Sequence, residues 1–300
     1  MEYKYKLTIA LITMNRADQL KHAIESCAAA DLPEKTQFVV VDNASTDNTE
    51  QMIAELRGAI GYDLVYRKET ENRGVGGGRN ICFDLSEGEY MYIFDDDAEI
   101  SEEYRGCFFT KCIEYLDRNP KVATLTTNVY DDIVGERKPA YARSMTVDGL
   151  PCVYTFHGNT AFIRCSVFES PLFMNIKYGG EEGMVSMTAL DKGYVGVYMD
   201  EVCTHHMPIN KWTGKNMERI CIQLISNIYM MKRVLYPKVC APLLRAAFKS
   251  RLKKNGVTDK ELIKEFEAVR KEFWKNTSDV KRIKLSTVIG AYKEFGLTVF

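Results

Sequence analysis

No C-x-x-C pair occurs among the nine cysteines, at positions 27, 82, 107, 112, 152, 165, 203, 221 and 240. An odd set without that spacing excludes a zinc ribbon and argues against a disulfide framework, so a reducing cytosol is the expected setting. Long apolar runs are missing too: nowhere do 18 such residues follow one another. The N-terminus enters the strand-like Leu7-Thr-Ile-Ala-Leu-Ile-Thr13 without the basic region and cleavage site of a secretion signal. Neither secretion nor membrane spanning is expected. Charge of one sign is not in excess, because 40 basic residues face 41 acidic ones for a net charge of -1. A chain without a global basic field is not expected to bind nucleic acid. No internal repeat or low-complexity tract stands out.

What is present is a chain of 300 residues, 46% hydrophobic, long enough to bury a sizeable core. Apolar runs of strand length recur at Leu7 to Thr13, Phe38 to Val41, Leu64 to Tyr66, Tyr90 to Phe94 and Val122 to Leu125. Helix-compatible segments lie between them, notably residues 17–30 and 49–57, and this alternation predicts a parallel α/β sheet. Residues 128–156 lose the periodicity and predict a variable segment, an edge hairpin lying over the sheet. A loop at 177–180 precedes a helix over 181–192 that Gly193 stops. The organisation expected is one domain over 1–215, divided into two halves at 127/128, and a helical region over 216–300.

In that last region Ile220, Leu224, Ile228 and Met231 recur at helical spacing, accompanied by Lys232, Arg233, Lys238, Arg245, Lys249, Arg251, Lys253 and Lys254. Such a face suits a helix resting on an anionic membrane surface, at the inner face of the cell membrane. A solvated bundle packed on the rest of the chain is favoured over it. Homodimerisation and binding of a substrate are the other roles open to these helices.

Asp95, Asp96 and Asp97 end the apolar run Tyr90-Met-Tyr-Ile-Phe94. A buried strand releases such residues at its carboxyl end, where open α/β sheets bind ligands. Alternation sends Asp95 and Asp97 one way and Asp96 the other. A hard cation such as Mg²⁺ or Mn²⁺ takes one or two carboxylates of this kind and fills its other positions with water and phosphate oxygens. An acidic surface turn or a helix N-cap gives the same letters, so the rest of the chain has to choose.

Segments in a fixed order make that choice. Ile9-Ala-Leu-Ile-Thr-Met-Asn-Arg16 is followed by Val39-Val-Val-Asp-Asn-Ala-Ser-Thr-Asp47, Asn72-Arg-Gly-Val-Gly-Gly-Gly-Arg-Asn80 and Phe94-Asp-Asp-Asp97. Gly180-Glu-Glu-Gly-Met-Val-Ser-Met-Thr-Ala-Leu-Asp-Lys-Gly-Tyr194 and His205-His-Met-Pro208 come later. Over about residues 5–236 the chain closely resembles family 2 glycosyltransferases. The resemblance implies an α/β fold of the GT-A, nucleotide-diphospho-sugar transferase type, with a mostly parallel central sheet flanked by helices and a C-terminal helical appendage. It also implies transfer of a sugar, with inversion, from a UDP- or dTDP-sugar to a saccharide or lipid-linked acceptor in cell-surface polysaccharide or glycolipid synthesis.

Roles follow from the resemblance position by position. Asp42 resembles the carboxylate that accepts a hydrogen bond from the base, although one side chain could not also cap the next helix, which leaves Asn43 and Asp47 for that task. Thr13, Asn15 and Arg16 resemble the pocket wall beside base and phosphates. Gly78, in a stretch that lets backbone approach the donor, and Arg79, with its charge, belong to the donor side. Asp95 and Asp97 resemble the ligands of the metal on the diphosphate, and Asp96 a group reaching ribose or sugar. His206 resembles a further metal ligand, with His205 its competitor; an imidazole donor shifts preference from Mg²⁺ towards Mn²⁺. Glu182 resembles the general base, although the commoner pattern has Asp there, and Glu181 stays open as the alternative.

Competing functions are weaker. The glycines do not form a dinucleotide fingerprint, because position 79 is Arg and the stretch follows the third strand instead of the first. A nucleotidyltransferase would place its glycine loop near the first strand, where Met14-Asn-Arg16 stands. A non-catalytic sugar-nucleotide or glycan-binding module would be expected to have lost Asp95, Asp97, Glu182 or His206.

Overall fold

The computed structural model describes residues 2–176, 179–208, 215–275 and 280–300, excepting the side chains of 215, 216, 274 and 275. Lys177 and Tyr178 of the expected loop lie outside the described residues. In chain order the first elements are β1 (Tyr5–Thr13), α1 (Ala17–Ala28), β2 (Thr36–Asp42), α2 (Thr49–Leu56), β3 (Asp63–Lys68), α3 (Gly74–Leu85) and β4 (Gly88–Asp95). Their strands read as continuous apolar runs because both faces are covered. Leu7, Ile9, Leu11, Phe38, Val40, Tyr90, Tyr92 and Phe94 pack with α1 and α2 side chains and with Phe108, Phe109 and Cys112 in one core. The intervening Ala10, Val39, Val41, Met91 and Ile93 join a second core with Cys82 of α3 and with Val185 and Ala189. This period of two decides which side each strand-end residue faces.

The chain continues through β5 (Ala98–Ile100), α4 (Phe108–Arg118), β6 (Val122–Asp131), β7 (Gly135–Arg137), β8 (Tyr141–Val147), β9 (Leu150–Val153), β10 (Thr160–Arg164), α5 (Glu182–Asp191) and β11 (Val195–His206). Sheet order is β3-β2-β1-β4-β10-β6-β11-β9-β8, with β5 on β11 and β7 on β6. The strands β3, β2, β1 and β4 are mutually parallel, and β6 and β11 also pair in parallel. β10 enters between β4 and β6 antiparallel to both, so the parallel character belongs mainly to the first half and the sheet as a whole is mixed. The β-helix-β alternation read from the sequence ends with Val122–Leu125 in β6, whereas the run of parallel neighbours in the sheet already ends at β4, where β10 enters. The expected edge hairpin is β8–β9, turning at Asp148 and Gly149, whose φ angles of 44° and 84° suit a tight hairpin turn.

Four helices follow: α6 (Lys215–Leu235), α7 (Ala241–Lys254), α8 (Lys260–Lys275) and α9 (Leu285–Phe295). They pack as a bundle on α5 and on Tyr154 and Met174. The α6 stripe turns inward: a Cβ at Gly180 would meet Ile228, and those at Gly179 and Gly183 would overlap Leu224 and Met231. Those three glycines allow α6 to lie against the start of α5. Of the eight basic residues named above, Lys232 is buried, Arg233 and Arg251 are partly so, and Lys238, Arg245, Lys249, Lys253 and Lys254 are exposed. No helix among the described residues is long and apolar enough to cross a membrane.

Candidate active site

β1 and β4 are neighbours in the sheet and end together, which brings Thr13, Arg16 and the three aspartates to one rim. The Thr13 hydroxyl donates to Asp96 Oδ2 at 2.7 Å. Arg16 Nη1 bridges Asp96 Oδ1 at 2.9 Å and Asp97 Oδ2 at 2.8 Å. Both Asp96 oxygens are thereby engaged within the protein. Burial raises the Asp96 pKa to about 6 against the pull of Arg16 and Thr13.

Asp95, Asp97 and His206 each offer a ligand atom within 4.8 Å of the others. β5 begins directly after Asp97 and pairs antiparallel with β11, setting His206 opposite Ala98, while Met207 N–H donates to Asp97 O at 2.8 Å. On the other side β6 sets Asp131 opposite His206. His206 Nε2 lies 3.2 Å from Asp97 and Nδ1 lies 2.7 Å from Asp131 Oδ2. A carboxylate on Nδ1 fixes the tautomer that presents Nε2 to a metal. His205 takes no part: its nitrogens lie 3.1 Å from Glu99 and 2.7 Å from Asp132. Two carboxylates and one imidazole form a donor set suited to Mn²⁺, which takes an imidazole more readily than Mg²⁺ does. Burial works against the charge on His206, but its bonds to Asp97 and Asp131 outweigh it and raise the pKa to about 9. Burial pushes Asp97 up, yet His206 and Arg16 bring it below the usual carboxylate range.

Asp95 shares the strand face of Met91 and Ile93 and so meets α3 and the start of α5. Buried Arg79 donates to Glu181 Oε1 at 2.7 Å, to Asp95 Oδ1 at 3.1 Å and to the Gly158 carbonyl. Its charge is therefore answered by carboxylates of the protein, whereas the sequence assigned it to the donor. The neighbouring glutamates differ: Glu181 is 1% exposed, and the Glu182 side chain is 18% exposed with its carboxylate 3.6 Å from Arg79. Burial, and then the Glu182 charge, raise the pKa of Glu181. Both glutamates, the three aspartates, Arg16, Arg79 and His206 line one cavity of about 870 Å³.

Three residues expected on the donor side, Asp42, Asn15 and Gly78, are not among those lining that cavity. Asp42 is fully buried, accepts from Ser45 N–H at 2.7 Å and Tyr66 Oη at 2.6 Å, and holds the turn after β2. Asp47, bonded to Thr49 N–H and its hydroxyl, stabilises the start of α2. Asn15 Oδ1 accepts from Thr46 N–H at 2.7 Å, tying two loops together. Gly78 lies inside α3, where a Cβ would come 3.0 Å from Ile12 and 3.3 Å from Asn43; the glycine serves helix-on-sheet packing. The sequence did not single out Asp131, Gly158 or Asn159. Asn159 is buried on the cavity wall with neither amide atom bonded, and only its place in His157-Gly-Asn159 could have hinted at it.

A mixed sheet whose strand tips gather acidic groups and a histidine in one cleft defines a GT-A type fold, and solved structures agree. The chain superposes with a TM-score of 0.64 and 18% identity on Staphylococcus aureus TarS 1–349 in complex with UDP-GlcNAc, covering 89% of this chain and 81% of that one. For a mannosyltransferase from Pyrobaculum calidifontis in complex with GDP-Man and Mn²⁺ the TM-score is 0.58 at 16% identity, covering 99% and 86%. In sequence, the poly(ribitol-phosphate) β-N-acetylglucosaminyltransferase TarS of Staphylococcus aureus is 34% identical over 100 residues, which are 33% of this chain and 17% of the relative. The abequosyltransferase RfbV of Salmonella typhimurium is 26% identical over 155 residues, 51% of this chain and 44% of the relative. The chain thus spans less than half the length of these relatives. The family model described as Glycosyl transferase family 2 matches residues 8–170, more than half of the chain. The chain belongs to glycosyl transferase family 2.

Proposed function

We propose that the protein moves a sugar from a nucleoside-diphosphate donor, UDP- or dTDP-linked, to an acceptor hydroxyl with inversion, in the making of a cell-surface polysaccharide or glycolipid. The observation that supports this best is that Asp95, Asp97 and His206 converge within 4.8 Å in the same cavity that Glu182 lines. Those three residues would hold the divalent metal, Mn²⁺ or Mg²⁺, which when bound supplies Lewis-acid stabilisation of the charge gathering on the leaving diphosphate. Glu182 accepts the proton of the acceptor hydroxyl as its oxygen bonds to the anomeric carbon and the bond to the diphosphate breaks. Glu182 is preferred over Glu181 because it is the more accessible and is not hydrogen-bonded to Arg79. TarS acts on poly(ribitol phosphate) by its name, and its structure was solved with UDP-GlcNAc, which favours a UDP-sugar here.

The deciding test is thermal unfolding against a panel of nucleoside diphosphates and their sugars, with Mn²⁺, with Mg²⁺ and with chelator, followed by product analysis with the stabilising donor. Metal-dependent stabilisation by one nucleotide is expected, since a ligand of the folded state raises its midpoint. Silence across the panel at millimolar ligand would return the protein to a non-catalytic module.

Gly158 offers a second check. A Cβ there would overlap Glu182 Oε1 and stand 3.1 Å from Arg79 Nη1. Gly158→Ala is expected to displace the base and lower kcat by about 100-fold, the order of loss that follows a misplacement of about 1 Å. Nucleotide binding should survive, and an unchanged kcat would separate Glu182 from the chemistry.

A further inference from the structure

Charge is divided along the chain. Residues 1–235 hold 25 basic against 34 acidic residues, whereas residues 236–300 hold 15 against 7, so a nearly neutral chain joins an acidic part to a basic one. The asymmetry is sharpest over 236–258, which contains α7: six bases stand there and no Asp or Glu. Five of the six, Lys238, Arg245, Lys249, Lys253 and Lys254, are exposed, and none of these five forms an ion pair among the described residues.

α7 has two unlike sides. Leu244 and Leu252 are buried in the bundle. On the opposite side Leu243, Ala246, Lys249 and Lys253 recur at helical spacing and are all exposed. Leu243 is 57% exposed, and Val239, in the turn just before the helix, is 66% exposed. The turn Gly296–Val299 after α9 adjoins this helix, because Arg251 Nη2 donates to Thr298 O at 3.5 Å, and there Leu297 is 77% exposed. α8 shows what a merely solvated face looks like in the same bundle. Its bases alternate with acids, Lys264 pairing with Glu261 at 2.9 Å and Arg270 with Glu267 at 3.7 Å, as charged faces in water usually do. α7 combines unpaired bases with exposed aliphatic side chains instead.

That combination selects the partner. Anionic headgroups attract Lys and Arg within a Debye length, and aliphatic side chains beside them enter the headgroup boundary. A nucleic-acid surface would interleave its bases with aromatic side chains for stacking, and the exposed residues here are aliphatic. Position adds a use, since Arg251 and Thr298 also line the cavity that Glu182 lines. A lipid surface on this side therefore lies at the margin of the cavity.

We propose that the exposed side of α7, with Val239 and Leu297, docks on an anionic membrane surface. That docking serves to present a lipid-linked acceptor rests on the transfer reading above; the docking itself does not.

The test is co-sedimentation of the full chain with vesicles of phosphatidylcholine alone and of phosphatidylcholine with phosphatidylglycerol, at low and high salt. Binding to the anionic vesicles is expected to exceed binding to the neutral ones by about tenfold or more and to fall as salt rises. Lys249→Glu, Lys253→Glu and Lys254→Glu together should weaken it by about 100-fold or more, at roughly fivefold per base. Leu243→Gln should weaken it by about threefold to tenfold at unchanged salt dependence, because it removes insertion and leaves the charge. All four positions are exposed, and the wild-type thermal midpoint of each variant confirms folding. Equal binding to both vesicle types, no binding, or full binding by the triple variant overturns the proposal. Equally tight, salt-sensitive binding to single-stranded RNA, lost in the same variant, would make the face a general polyanion site and also overturn it. So would a dimer that the triple variant dissolves while vesicles stay unbound, since the partner would then be the acidic part of a second copy. A protein that binds anionic vesicles but answers no nucleotide with Mn²⁺ keeps the docking and loses the transfer reading; one that answers a nucleotide and ignores vesicles does the reverse.

Discussion

Glu182→Gln is expected to lower kcat by about 100- to 10,000-fold, the range over which a positioned general base acts, with nucleotide and metal binding unchanged. The substitution keeps the shape of the side chain against Gly158 and removes only its ability to take a proton. The loss should therefore appear in kcat at saturating donor, and the midpoint shift with UDP and Mn²⁺ should match wild type. Glu181→Gln should act differently. Its carboxylate balances buried Arg79 at 2.7 Å, so neutralising it should reduce stability before it reduces chemistry, because an uncompensated buried charge is strongly unfavourable. A folded Glu181→Gln protein with the larger loss in kcat would move the base to Glu181.

Asp97→Asn is expected to abolish metal-dependent nucleotide binding and to lower turnover by 1,000-fold or more, since a Lewis acid contributes several kcal/mol to such a transition state. A chelator should do the same to the wild type. pH provides an independent readout. His206, with its pKa near 9, must lose its proton to ligate, so below that pH metal competes with one proton. Apparent Mn²⁺ affinity should rise about tenfold per pH unit between roughly 6.5 and 9 and then level. Calorimetry in buffers of different ionisation enthalpy should find about one proton released per metal near neutral pH. The metal-free protein should show the opposite trend in stability. The folded pKa of His206 lies above the unfolded value of 6.5, so its stabilising contribution is complete below 6.5 and is lost as pH rises through about 9. A pH-independent affinity would remove His206 from the ligand set.

The strands were legible because burial on both faces writes continuous apolar runs, and their ends were legible because the runs stop at polar residues. That located Thr13, Arg16 and Asp95 to Asp97 at the rim they share. The helix begun by Glu182 was equally legible, from Gly193 at its end and the acidic pair at its start. Asp42, Asn15 and Gly78 were assigned to the donor from the resemblance, and each also had a local use that short motifs do not distinguish: a turn, a loop tie and a close helix approach. Arg79, which lines the cavity, also has a second use that its place beside glycines did not reveal: the fold brings Glu181, 102 residues away in sequence, against it.

The sequence by itself determined the class of fold and the rim on which the acidic groups stand, since alternation and run length act locally along the chain. Only the tertiary structure decided which histidine joins them. β5 and β6 hold β11 in a register that turns His206 towards Asp97 and Asp131 and His205 towards Glu99 and Asp132. The same holds for the bases of the helical region, of which Lys232 of α6 is packed inside while Lys249 and Lys253 of α7 face out. Register and helix docking are set by contacts between residues far apart in the chain, and no local periodicity encodes them.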